Sequence, residues 1–171
     1  MELNCCCASG SRRSCASAAI TNALNGADVV AVVVAAEHEG RIAAAVRRDI
    51  EAQPGACVLP ACRAEAPWLM PPSLAAGGCA EALGAEPAGE CCKRSVLVWE
   101  EIDAYIHECP DRFDQSVSAV CRAISGASAE LSMPFRIHRA VLMGGNALYG
   151  HLERVAAQVP DEIRFRYILV Q

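Results

Sequence analysis

Residues 29–34 read Val-Val-Ala-Val-Val-Val, a continuous β-branched run without polar alternation. Such a run predicts a strand covered on both faces, because a half-exposed strand would alternate apolar and polar positions. Downstream the pattern changes period. Ile42, Val46 and Ile50, separated by Arg47, Arg48 and Asp49, recur at helical spacing and predict an amphipathic helix. From residue 95 the alternation of elements is clearest. Ser95 to Val98 predicts a short strand, and Trp99, Ile102 and Ile106 then line one face of a helix that Pro110 ends. Val117, Val120, Cys121 and Ile124 mark a second helix. Residues 137–143 predict a strand, and Leu148, Leu152, Val155 and Val159 form one side of the helix behind it. Ile163, Phe165, Tyr167 and Leu169 alternate with Arg164 and Arg166, which predicts a final strand. Strand, helix and strand with short joints imply a right-handed parallel crossover.

These elements divide the chain into four zones. Residues 1–27 are small, polar and rich in Cys, Ser and Ala, and predict a flexible tail. The lack of acidic residues over 3–27, beside Arg12-Arg13, is also a property of organelle transit peptides, but a disordered tail is the reading adopted. Residues 28–62 hold the first strand region. Residues 63–94, with Pro67, Pro71, Pro72, Gly77, Gly78, Gly84, Pro87 and Gly89, predict a loop. Residues 95–171 predict a compact α/β unit.

Composition narrows the class. At 171 residues and 53% hydrophobic, the chain can bury one substantial core, built of Ala, Val, Leu, Ile and Cys because aromatics are only 5%. The net charge of −5, with basic pairs short and scattered, argues against direct nucleic-acid binding, which needs clustered Lys and Arg. The longest apolar run, Val29 to Ala36, is too short to span a bilayer, so no membrane partner is expected. None of the 11 cysteines forms a Cys-x-x-Cys pair. Most are read as reduced, small apolar residues of an intracellular protein, with a Cys-rich metal-binding module as the alternative and Cys5-Cys6-Cys7 as its nearest donors. His38, between Glu37 and Glu39, reads as a solvated loop residue. Glu100, Glu101 and Asp103 read as a solvated helix face with acids well placed at a helix start.

The segment 138–155 carries the most specific pattern: apolar strand, Gly144-Gly145, Asn146, an apolar residue, Tyr149, then a helix with Glu153 next to Arg154. It resembles the adenine-side nucleotide loop of actin and actin-related proteins. Three weaker patches follow the family's order: Ala56 to Pro60, Lys93 to Ile102, and Val159 to Leu169. The resemblance covers about half of the chain. It implies an actin-like (ribonuclease H-like) mixed sheet with flanking helices, truncated. It also implies nucleotide contact through Gly144, Gly145, Leu148 and Tyr149, with the glycine backbone against the nucleoside and the two side chains at its edge. It would place a β-hairpin near residues 40–52, where helical propensity favours a helix.

Departures from the family set the functional expectation. After the first strand the chain offers Ala35-Ala36-Glu37-His38-Glu39-Gly40-Arg41 in place of an Asp, closely spaced glycines and a Lys. No Asp-Gly or Asp-x-Gly occurs for a second phosphate loop, and Gln171 precedes the family's closing Trp-x-Gly-Gly segment. The implied protein is not an enzyme, since metal, triphosphate and water could not be ordered together. It is expected to be a non-catalytic actin-related subunit of a larger cytoskeletal or chromatin-associated assembly, in cytoplasm or nucleus, with ATP or ADP absent or weakly bound and protein subunits as partners. The alternative is a residual ATP-binding or ATPase switch using Glu37 or Glu39 for metal.

Overall fold

The computed structural model describes residues 12–60, 94–125 and 137–170. In chain order these form α1 (Arg12–Gly26), β1 (Val29–Val33), α2 (Ala36–Glu51), β2 (Ala56–Pro60), β3 (Arg94–Trp99), α3 (Ile102–Glu108), α4 (Pro110–Ser125), β4 (Arg139–Gly144), α5 (Asn146–Gln158) and β5 (Phe165–Leu169). The valine run makes β1 an inner strand, paired in parallel with β4 on one side and β5 on the other. β3 lies beyond β4 and β2 beyond β3, giving the order β2-β3-β4-β1-β5.

Side-chain alternation in β1 divides the core. Val30 and Val32 join Val96, Val98, Val141, Met143 and Ile168 beneath α1 and α2. Val29 and Ala31 face the opposite layer, where Trp99, Ile102, Phe113, Val117, Leu142, Leu148 and Val155 pack from α3, α4 and α5. A right-handed crossover fixes this arrangement, because α2 leads towards β2 while the path from β4 through α5 to β5 runs the other way across the sheet. Helices therefore cover both faces, as an all-parallel sheet requires.

Two expectations change. The described sheet is parallel throughout, whereas the actin resemblance implies a mixed one; every connection that the described elements complete is a helical crossover, which returns the chain in the same direction. The tail assigned to residues 1–27 is a helix over residues 12–26, with Ile20 fully buried and Leu24 nearly so. Its Ala- and Ser-rich surface gives no apolar stripe, yet small side chains let it lie close to α2 and the sheet. In β5, Ile168 is buried, while Tyr167 on the other face is 37% exposed. As the outer strand on its side among the described residues, β5 has only partial cover from them.

Other expectations hold. Residues 36–51 are helical, so the hairpin alternative for residues 40–52 is not formed. Pro110 follows the end of α3 and opens α4, the first-turn position in which its missing N–H costs nothing. The Pro/Gly-rich stretch lies outside the described residues except for Arg94, which already belongs to β3. Zones 28–62 and 95–171 contribute to one sheet, since β1 sits between β4 and β5.

Candidate functional site

In parallel sheets ligands gather at the carboxyl ends of strands where neighbouring connections leave for opposite faces. Here that point lies between β1, which leads to α2, and β4, which leads to α5. A pocket of about 830 Å³ opens there, lined by Val33, Val34, Ala35, Ala36 and Glu37 at and beyond the end of β1, Asp103 and His107 of α3, Gly145, Asn146, Ala147 and Tyr149 after β4, and Leu169 and Val170 at the end of β5.

The Gly-Gly turn has a specific structural partner. Asp103 reaches across from α3 and accepts three backbone hydrogen bonds: Gly145 N–H to Oδ1 at 2.8 Å, Leu148 N–H to Oδ1 at 3.1 Å and Ala147 N–H to Oδ2 at 3.2 Å. The first N–H groups of α5 are otherwise orphans and carry the positive end of the helix dipole, so this carboxylate takes the place an external anion would use. A Cβ on Gly144 would stand 2.7 Å from Asp103 Oδ1 and 3.0 Å from Leu148 Cβ. On Gly145 it would stand 3.0 Å from Asp103 Oδ2 and 3.3 Å from the Val34 carbonyl oxygen. Both glycines thus admit the α3 carboxylate to the turn.

More acids surround this point. Glu101 adopts a left-handed backbone (φ 58°), uncommon for a residue with a side chain, and its N–H donates to Glu39 Oε1 at 2.6 Å. Glu100 pairs with Arg47 of α2 at 2.6 Å. These two contacts tie α2 to the residues just after β3. Glu39 holds its proton more tightly than an ordinary glutamate. Burial is the first cause; the nearby carboxylates of Asp103, Glu100 and Glu101 add to it, and the Glu101 N–H opposes it.

The residues named from sequence therefore separate. Gly145 and Tyr149 line the pocket, and Tyr149 is 57% exposed. Gly144 lies behind them against Asp103. Leu148 is fully buried in the α3–α4–α5 core, so its side chain faces away from the pocket. Glu37 is at the rim; Glu39 is turned to Glu101. His38 is exposed in the first turn of α2. The acids 100, 101 and 103 are engaged with α2 and α5 and are not a free solvated face. Sequence reasoning missed Asp103 as the partner of the Gly pair. Only the capping chemistry of an aspartate near a helix start hinted at it, and the helix it serves begins more than 40 residues later.

Two other polar clusters lie away from the pocket. His151, largely buried, meets Asp114 Oδ1 at 2.8 Å through Nε2, and Arg154 bonds Asp114 Oδ2. His138 Nδ1 accepts from the Ser95 N–H at 3.1 Å and lies 2.9 Å from its hydroxyl. Among the described residues no three His, Cys, Asp or Glu side chains converge as a metal site, and no helix is long and apolar enough to cross a membrane. Cys5-Cys6-Cys7 lies outside the described residues. Cys57 is disulfide-bonded, so the reduced state expected for most cysteines does not extend to it, whereas Cys109 and Cys121 are free. Burial pushes the Cys121 thiol up to about 11, which makes it unreactive.

The arrangement can close a helix end on a carboxylate and keep an acidic pocket rim. The turn after β1 has no Gly-rich phosphate loop or Lys, and the α5 N-terminus is already occupied. No family model, curated protein or solved structure matches the chain.

Proposed function

We propose that this chain is a non-catalytic subunit of a larger intracellular protein assembly, a divergent relative of the actin-related proteins in cytoskeletal or chromatin-associated complexes. The observation that carries the non-catalytic reading is the Asp103 carboxylate on the Gly145, Ala147 and Leu148 N–H groups. A phosphate approaching that helix end would have to displace an internal acid with three hydrogen bonds and would meet Glu37, Glu39, Glu100 and Glu101 nearby. Triphosphate hydrolysis needs the opposite arrangement, with donors and cations converging on developing negative charge. Support for the actin-related part is the β4–Gly-Gly–α5 segment, in which strand, glycine turn and helix occur in the order the resemblance implies. The parallel sheet order weighs against it. Isolation of the tagged chain from its own cells tests the reading: stoichiometric recovery with the same protein partners is expected, and a chain recovered alone and monodisperse overturns it.

A second reading, an ATP-binding switch, is favoured by the position of the pocket at the strand carboxyl ends, with Gly145 and Tyr149 in its wall. It requires that millimolar ATP raise the melting temperature, since binding to the folded state stabilises by mass action. The subunit reading expects no shift and no turnover.

A further inference from the structure

β5 is the outer strand on its side of the sheet among the described residues. At the two ends of its ladder with β1, the Val29 N–H bonds the Arg164 carbonyl and the Val170 N–H bonds the Val33 carbonyl. Alternate residues of a parallel ladder turn both backbone groups to the same neighbour. The even-numbered residues of β5 therefore bond β1, and Phe165, Tyr167 and Leu169 direct their N–H and C=O groups outward. A groove of about 540 Å³ runs along this edge, between Ala19, Asn22 and Ala23 of α1 and the stretch Phe165 to Ile168 of β5. Arg166 is the one charged residue lining it and makes no ion pair among the described residues. Its guanidinium lies beside Gly26, where a Cβ would stand 3.5 Å away, and α1 contains no acidic residue. Tyr167 stands 37% exposed on the other face of the same edge.

We propose that the β5 edge docks an extended, carboxylate-bearing segment of a partner protein, which adds to the sheet as a further strand. The outward backbone groups supply a hydrogen-bonding template. Side chains of an added strand alternate between the two faces. Those on the α1 side meet an apolar groove with one unpaired cation, and those on the other side meet Phe165 and Tyr167. A carboxylate on the α1 side pairs with Arg166 and displaces no existing acid. Arg164, already bonded to Asp28 but 61% exposed, adds positive charge immediately before the same strand. A second copy of this chain is a poorer occupant, since β5 against β5 brings Arg164 and Arg166 near their like-charged counterparts. The proposal rests on the reading of this chain as an assembly subunit and names the surface that a partner uses.

Amide hydrogen exchange on the full chain tests it, with a short acetylated peptide of alternating valine and glutamate as the probe and its valine–lysine counterpart as the control. The glutamate peptide is expected to slow exchange at Phe165, Tyr167 and Leu169 by about tenfold or more, and the lysine peptide to leave it unchanged. Arg166→Glu should reverse that preference. Tyr167→Pro removes one outward N–H and no bond to β1, so it should abolish protection while keeping the melting temperature near that of the parent. If the proline variant does not fold, the Arg166→Glu reversal decides. Absence of protection, equal protection by both peptides, or protection that rises with protein concentration without peptide overturns the proposal; in the first case the arginines serve only to keep the edge unpaired. If partners co-purify while the β5 amides exchange as in the isolated chain, the subunit reading stands and the β5 proposal fails.

Discussion

At the residue scale the carboxylates decide most. Asp103 satisfies three backbone donors, so Asp103→Ala should lower stability by about 1–3 kcal/mol, read as a fall in melting temperature with α5 fraying at its first turn. Gly144→Ala drives a methyl group into the same carboxylate and should cost a comparable amount, about 1–3 kcal/mol. In an Asp103→Ala background the glycine substitution should cost markedly less, because its chief obstacle is gone. Asp28 shows the sign of a different effect. Burial alone would raise its pKa, but the hydrogen bonds and charge of Arg164 outweigh that and hold the carboxyl below the usual aspartate range. A lowered folded-state value adds stability above the usual range, which is lost as pH falls through the folded value. Asp28→Asn should therefore be less stable than the parent at neutral pH, and the difference should close in acid; denaturant melts at stepped pH measure it. Glu39 runs the other way. Its raised value means that ionisation costs more in the folded chain, so the parent should lose stability relative to Glu39→Gln as pH climbs through the folded carboxyl's titration.

At the element scale, α4 and α5 are joined by a short polar network around an aromatic cluster. Asp114 accepts from His151 and Arg154, Ser118 donates to Gln158 at 2.8 Å, and Phe113 packs edge-on against His151 with ring centres 5.4 Å apart. Removing the shared acid strands a largely buried imidazole, so Asp114→Ala should cost about 1–3 kcal/mol. Ser118→Ala, at a less buried position, should cost well under that. The helices α2, α4 and α5 were legible because apolar residues recur at 3.6-residue spacing. The inner strands β1 and β4 were legible because their apolar runs are unbroken. α1 was not, since alanine and serine on all sides carry no periodic contrast. The facing of β5 was not legible, because alternation identifies a strand without saying which of its faces has a neighbour.

At the scale of the whole molecule, α1 is part of the core despite its tail-like composition. Ala16, Ile20, Ala23 and Leu24 pack with Val30, Val32 and Ile168. Removal of residues 1–26 should therefore expose the α1 face of the sheet and yield a chain that binds hydrophobic dye and lacks a cooperative melt; a true tail would leave the melt unchanged. One sheet also unites segments that the sequence zones kept apart, with Val29 opposite both Ala140 and Phe165.

The sequence by itself determined the α/β class, the strand–glycine–helix turn at residues 139–158 and the lack of phosphate-handling residues after the first strand. All three follow from local propensity or from which residues are present. Only the tertiary structure decided the strand order, the extension of the parallel direction to all five described strands, the docking of α1 and the partner of the Gly pair. Each of these depends on which distant segments meet, and nothing in the local pattern around Gly144 and Gly145 indicates that the group seated against them is the Asp103 carboxylate.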